Sequence, residues 1–242
     1  MGWSQRELSR RTGVPQTAIS RLIRGRLDSI DLDQLAKIAV ATGARLRVTF
    51  DAPFLLDRAR QRDRVHARCI AYVAVRLRPA GWQVATEVEI RGSRGPGWID
   101  VLAFNPVTGD LLVIEIKTQV DDLGQIQRTL SWYERRAWDA ARRLGWEPRR
   151  TSSALLVLAT GAVDGRLRAN RRLLRMAFPG RAHELRAMVA EPATRRPTGW
   201  YLARIDPLSR VSTWLRSTVL DPSTTPSAHR DYADVARKLG GR

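Results

Sequence analysis

A single cysteine, Cys69, stands in a chain of 242 residues. That scarcity excludes an internal disulfide and a cysteine-rich zinc site, and it suits a reducing compartment. The run that holds it, CIAYVAV, is apolar and predicts a buried core thiol rather than a nucleophile. Long hydrophobic runs are missing too. No stretch approaches bilayer-spanning length, and the N-terminus lacks the apolar segment of a signal peptide. The expected location is therefore intracellular, in the cytoplasm, with no membrane partner. Histidine occurs three times, and His183 and His229 stand isolated, as surface residues would. A serine or cysteine hydrolase triad has no support.

Acidic residues are also few, 24 against 42 basic ones, for a formal net charge of +18. Such an excess fits a polyanionic partner, most simply nucleic acid, because cationic side chains neutralise phosphates. A compositional drift toward arginine would give the same balance, since only Lys37, Lys117 and Lys238 are lysines. The lysine shortage makes Lys117 conspicuous. A compact ammonium on a flexible stem does not substitute for a guanidinium fork in a tight site. What is present in ordinary amount is hydrophobic content, at 43%, with length enough for one medium domain and a small one.

The chain begins with a helical unit, residues 1–50. Ser4 followed by Glu7 has capping-box spacing and opens a helix, Gln5 to Thr12, that Gly13 closes. A second helix runs from Gln16 to Arg24, and a third from Asp31 to Thr42 carries Leu32, Leu35, Ile38 and Ala39 on one face. Leu8, Val14, Ile19 and Leu22 are spaced to pack the first two together. The segment SQRELSRRTGVPQTAISRLIRG, with the L-x-x-L-x-x-I-A pattern that follows, resembles the XRE, or lambda-repressor-like, helix-turn-helix family. The resemblance implies that Gln16, Thr17, Ser20 and Arg21 face the major groove of DNA and that Gln5 lies near phosphates. A helical hairpin used for protein contact is the alternative. The family's pattern has a further helix ahead of the Ser4 start, where this chain has only Met1 to Trp3, so that helix is expected to be missing.

Asp51 to Arg62 reads as a connector, and a long helix is expected from about Leu55 to Leu77. Residues 55–220 then form a second domain. Trp82 to Ile90 alternates as a strand, and the basic, glycine-rich turn from Arg91 to Gly97 leads into a hairpin. Its strands are Trp98 to Phe104 and Leu111 to Lys117. A helix from about Asp121 to Leu144 follows, with Ile126, Leu130, Tyr133 and Ala137 in its apolar stripe. Next come a buried-type strand, Ser153 to Ala159, helices at about Gly165 to Ala177 and Arg181 to Val189, and a short strand, Trp200 to Ile205. Residues 221–242 begin rich in proline, serine and threonine and are expected to be a loose tail.

The hairpin carries the chemistry. Side chains two apart on a strand share a face, so Glu115 and Lys117 point together from an otherwise apolar strand, with Asp100 on the strand before. An exposed edge hairpin with a surface ion pair would need fewer apolar neighbours, and a buried acid is costly without a metal or a partner. The order helix, three strands, helix, strand, with G-x-I-D and then E-I-K on the second and third strands, resembles the PD-(D/E)XK nuclease superfamily. The resemblance covers roughly Leu55 to Ala159, with Ile99 where the motif's name has proline.

The resemblance implies an α/β (α+β) fold with a restriction-endonuclease-like αβββαβ core. It also implies that Asp100, Glu115 and the Ile116 carbonyl hold Mg²⁺, for which Mn²⁺ can substitute, and that Lys117 is catalytic. Hydrolysis would leave a 5′-phosphate and a 3′-hydroxyl. Asp63 on the first helix, with His66 beside it, and Glu87 or Glu89 on the first strand are candidate supporting acids. Gln127 and Tyr133 match a glutamine and tyrosine that some members place near the substrate backbone, although Tyr133 also suits the core. Trp98, beside Asp100, is a candidate to stack on substrate. The expected protein is a DNA endonuclease, possible as a homodimer that cuts both strands. A DNA-binding regulator with a non-catalytic nuclease-like domain is the alternative, and RNA is a possible substrate.

Overall fold

Ser4 and Gly13 delimit the first helix as their chemistry requires. In the computed structural model the Ser4 side chain accepts a hydrogen bond from the Glu7 amide at 3.2 Å, and Gly13 takes a left-handed φ of 69°. The structure describes residues 3–26, 30–44, 46, 64–92, 95–192, 199–221 and 224–240. Chain contacts divide it into two units, residues 1–51 and 52–242.

In the first unit α1 (Gln5–Thr12), α2 (Gln16–Ile23) and α3 (Leu32–Thr42) follow the expected boundaries closely. Asp31 caps α3 by accepting from the Gln34 amide at 2.7 Å. The Ser9 hydroxyl donates to the Val14 carbonyl at 2.7 Å and ties the turn between α1 and α2. The core is small: Val14, Ala18 and Ile19 are buried, with Leu8 and Ile38 packed against them. Leu32, expected on the inner face of α3, is instead 52% exposed.

The second unit is built on a five-stranded mixed sheet, so its architecture is mixed α+β. The strands are β1 (Gln83–Gly92), β2 (Gly95–Asn105), β3 (Asp110–Lys117), β4 (Arg150–Leu158) and β5 (Trp200–Ile205), in that spatial order. β1, β2 and β3 pair antiparallel, whereas β3, β4 and β5 pair parallel. Asn105 makes the β2–β3 turn, its side-chain oxygen accepting from the amides of Val107 and Thr108, and Gly109 supplies the required positive φ of 74°.

Helix α4 (Arg64–Leu77) covers one face of the sheet and α5 (Leu123–Arg143) the other. The expected start of α4 near Leu55, with Asp63, lies outside the described residues. Val65, Cys69, Val73 and Leu77 pack on Val101, Ala103, Leu112, Ile114 and Leu156. On the opposite face Ile126, Leu130, Tyr133 and Ala137 pack on Leu102, Phe104, Val113 and Leu155. Two covered faces explain why β3 and β4 are continuously apolar rather than alternating.

Three expectations require correction. The helix expected from Gly165 to Ala177 is two, α6 (Gly161–Ala169) and α7 (Arg171–Ala177), because Thr160 caps α6 early and Asn170 interrupts the run. α8 (Ala182–Ala190) then matches its expected span. The loose tail is not loose: residues 232–240 form α9 (Tyr232–Gly240), whose Val235 is fully buried against the α4 side of the sheet. His229, expected at the surface, is buried, with Nε2 3.1 Å from Asp206 Oδ1 and Nδ1 3.2 Å from Lys238 Nζ. Polar partners far away in sequence create that burial, which local composition does not announce.

Candidate active site

Glu115 and Lys117 project from the last turn of pleat in β3. Lys117 Nζ lies 2.6 Å from Glu115 Oε1; the carboxylate is 3% exposed and the lysine side chain 17%. The pair is thus largely desolvated, with only the lysine side chain reaching solvent in part.

Asp100 joins it through a distortion of two strands. Trp82, just before β1, and Val84 on it belong to the core under α4, yet Val88 and Ile90 on β1 belong to the core under α5. On β2, Val101 and Ala103 face the α4 side, whereas Ile99 faces the α5 side. A regular strand cannot place residues two or four apart on opposite faces. The register steps from Thr86↔Val101 to Val88↔Ile99, leaving Glu87 across from Asp100, and Glu87 carries a φ of 51°. The pairing stays in step on both sides, so no residue is inserted, and the alternation switches at these two residues through the left-handed backbone of Glu87.

The switch delivers the Asp100 carboxylate between β3 and α4. Its Oδ2 accepts from the Ile116 amide at 2.7 Å, and its Oδ1 lies 3.1 Å from His66 Nε2. Both side chains are buried. Burial works against a charged imidazole at His66. It is outweighed by the hydrogen bond to Asp100 and the nearby charges of Asp100 and Glu115, so the pKa of His66 is raised above 6.5 despite opposition from Lys117. One histidine thus senses all three motif residues. The structure brings together Asp100, Glu115, Lys117 and His66, the last from α4.

The other candidates are distributed around this group. Glu87 is exposed, and Glu89 is exposed and paired with Arg91 at 3.0 Å. Gln127 is half-buried on α5, one residue beyond buried Ile126, and Tyr133 is buried in the core under α5. Trp98 is half-buried. Trp132 lies across Gly97, where an added Cβ would sit 2.4 Å from its ring.

Among the described residues no group of three or more histidine, cysteine, aspartate and glutamate side chains is arranged to hold a metal. A cation here would rest on two carboxylates, and that donor set suits a hard ion that keeps waters and takes phosphate oxygen, as Mg²⁺ does. Each carboxylate oxygen of Asp100 accepts one hydrogen bond and retains a further lone pair. The N–H and C=O of an extended residue project to the same side, so the Ile116 carbonyl faces β2 with the amide that Asp100 engages. The residues present fit the group.

In the first unit Gln16, Thr17 and Arg21 are exposed on α2 and Ser20 is half-buried, opposite the inward-facing Ala18 and Ile19; Gln5 is half-buried at the start of α1. Residues 1–48 match the helix-turn-helix family model. That match supports DNA binding by this segment. No curated protein matches the chain. No described helix is long and apolar enough to cross a membrane.

Proposed function

We propose that this chain is a metal-dependent DNA endonuclease, in which the helix-turn-helix segment engages DNA and the β2–β3 site hydrolyses phosphodiester bonds. The observation that carries the reading is the desolvated Glu115–Lys117 pair at 2.6 Å beside buried Asp100. A helix followed by antiparallel β1–β2–β3, a second helix and parallel β4 supports a restriction-endonuclease-like core.

Asp100, Glu115 and the Ile116 carbonyl would hold Mg²⁺ or Mn²⁺. When bound, that ion polarises a phosphate oxygen and lowers the pKa of a coordinated water. Lys117 orients the attacking water and stands where negative charge develops at phosphorus. Glu115 fixes the ammonium through its ion pair. His66 and the Ile116 amide fix both oxygens of Asp100, so the carboxylate is oriented before substrate arrives.

Plasmid and branched-DNA cleavage with Mg²⁺ tests the reading. Wild type is expected to cut, whereas Glu115→Ala and Lys117→Ala lose at least a hundredfold in rate while still binding DNA. Arg21→Ala should weaken DNA binding about tenfold or more without touching the sheet site. A wild-type chain that binds DNA but cuts no DNA form would sink the endonuclease and leave a DNA-binding regulator.

A further inference from the structure

At the C-terminal end of the parallel strands, where Arg204 of β5 stands in register with Val157 of β4 and Lys117 of β3, a cavity of about 300 Å³ opens between β5 and the segments that cover its edge. Arg186 from α8, Arg204 from β5 and Arg216 contribute cations, and Thr213, Ser217 and Thr225 contribute hydroxyls. No carboxylate lines it. Two of the three cations are balanced from behind the wall. Arg204 Nη1 donates to both carboxylate oxygens of buried Asp164, at 2.9 and 2.7 Å, and Arg216 lies 3.6 Å from Asp206.

Arg186 differs. Its one described bond is a donation to the Leu215 carbonyl, which leaves its charge without a carboxylate counterpart among the described residues. No bond to a protein group engages the hydroxyls of Thr213, Ser217 or Thr225 among the described residues either. Meanwhile Arg204 donates to the carbonyls of Ser217 and Thr225 at 2.8 and 2.9 Å, and so fastens the two covering segments in place. The wall is therefore rigid, and the groups left over are donors. Strong donors with one uncompensated positive charge select an anion with several acceptor oxygens, which a guanidinium fork recognises best in phosphate. The volume stands at the small end of ligand sites and accommodates a nucleotide-sized phosphate ester.

We infer that this cavity is a binding site for a phosphate ester, with Arg186 as the principal contact. Its source is either a free nucleotide or a phosphate of a nucleic-acid strand. The cavity shares no lining residue with the Asp100–Glu115–Lys117 group, and binding in it does not depend on cleavage there.

Calorimetric titration of the full chain, without divalent metal, decides the matter. Orthophosphate, a deoxynucleoside 5′-monophosphate and a short single-stranded oligonucleotide serve as ligands. At least one is expected to bind saturably, with affinity falling tenfold or more in Arg186→Gln and less in Arg186→Lys. Melting curves confirm that the variants are folded, and Thr213→Val and Ser217→Ala, each expected to lose severalfold, provide the same reading if Arg186→Gln is not. Arg186-dependent binding of the monophosphate assigns a free nucleotide; dependence confined to the oligonucleotide assigns a strand phosphate. Absence of binding for all three, or affinities unmoved by every variant, overturns the site. Cleavage assays with metal fail or succeed independently of this outcome.

Discussion

His66 Nε2 and Asp100 Oδ1 lie 3.1 Å apart with both residues almost wholly buried, and this contact joins α4 to the distorted centre of the sheet. It has a pH signature. The folded-state pKa of His66 is raised above 6.5. The stability that its protonation contributes is therefore complete below about 6.5, the unfolded value, and fades as pH rises through the higher folded value. Melting curves of wild type and His66→Asn should diverge most on the acid side and converge toward alkaline pH. A constant difference across that range would show that the histidine's charge does no stabilising.

Asp164 and Arg204 form an ion pair with both side chains under 5% exposed. Removing one partner leaves an uncompensated buried charge. Asp164→Ala is expected to cost about 3–5 kcal/mol in urea denaturation, and the apolar double replacement Asp164→Leu with Arg204→Met should recover much of it. Equal losses in the single and double variants would contradict this account.

Val235 is fully buried although it lies in the last helix. Val235→Ala should lower stability by about 2 kcal/mol through lost burial and a residual cavity. Deleting residues 224–242 should do far more, since it also strips the Asp206–His229–Lys238 contacts and uncovers the apolar face beneath α9. A truncated chain that melts like wild type would restore the idea of a dispensable tail.

Gly97 has no room for a methyl group, because Trp132 lies over it. Gly97→Ala should destabilise by about 1–3 kcal/mol, as overpacked sites do. Combining it with Trp132→Leu should cost less than the sum of the two single changes, a coupling read from paired denaturation curves. Strict additivity would mean that the ring moves aside freely.

Much of the fold was legible because it depends on local periodicity. Ser4 and Gly13 bounded the first helix, and the two apolar strands announced the hairpin. Shared facing of Glu115 and Lys117 followed from a period of two. The helix-turn-helix pattern was likewise local, and residues 1–48 match that family model. Asn170, an interior polar residue, broke a helix that apolar spacing alone ran together.

The sequence by itself determined the first three helices, the strands of the sheet and the shared facing of Glu115 and Lys117, since each rests on residues a few positions apart. Only the tertiary structure decided what those side chains meet. The alternation switch at Glu87 and Asp100, the arrival of His66 from α4, and the burial of His229 and Asp164 all join residues more than ten positions apart. Such pairings arise from packing two faces of one sheet, and no pattern along the chain encodes them.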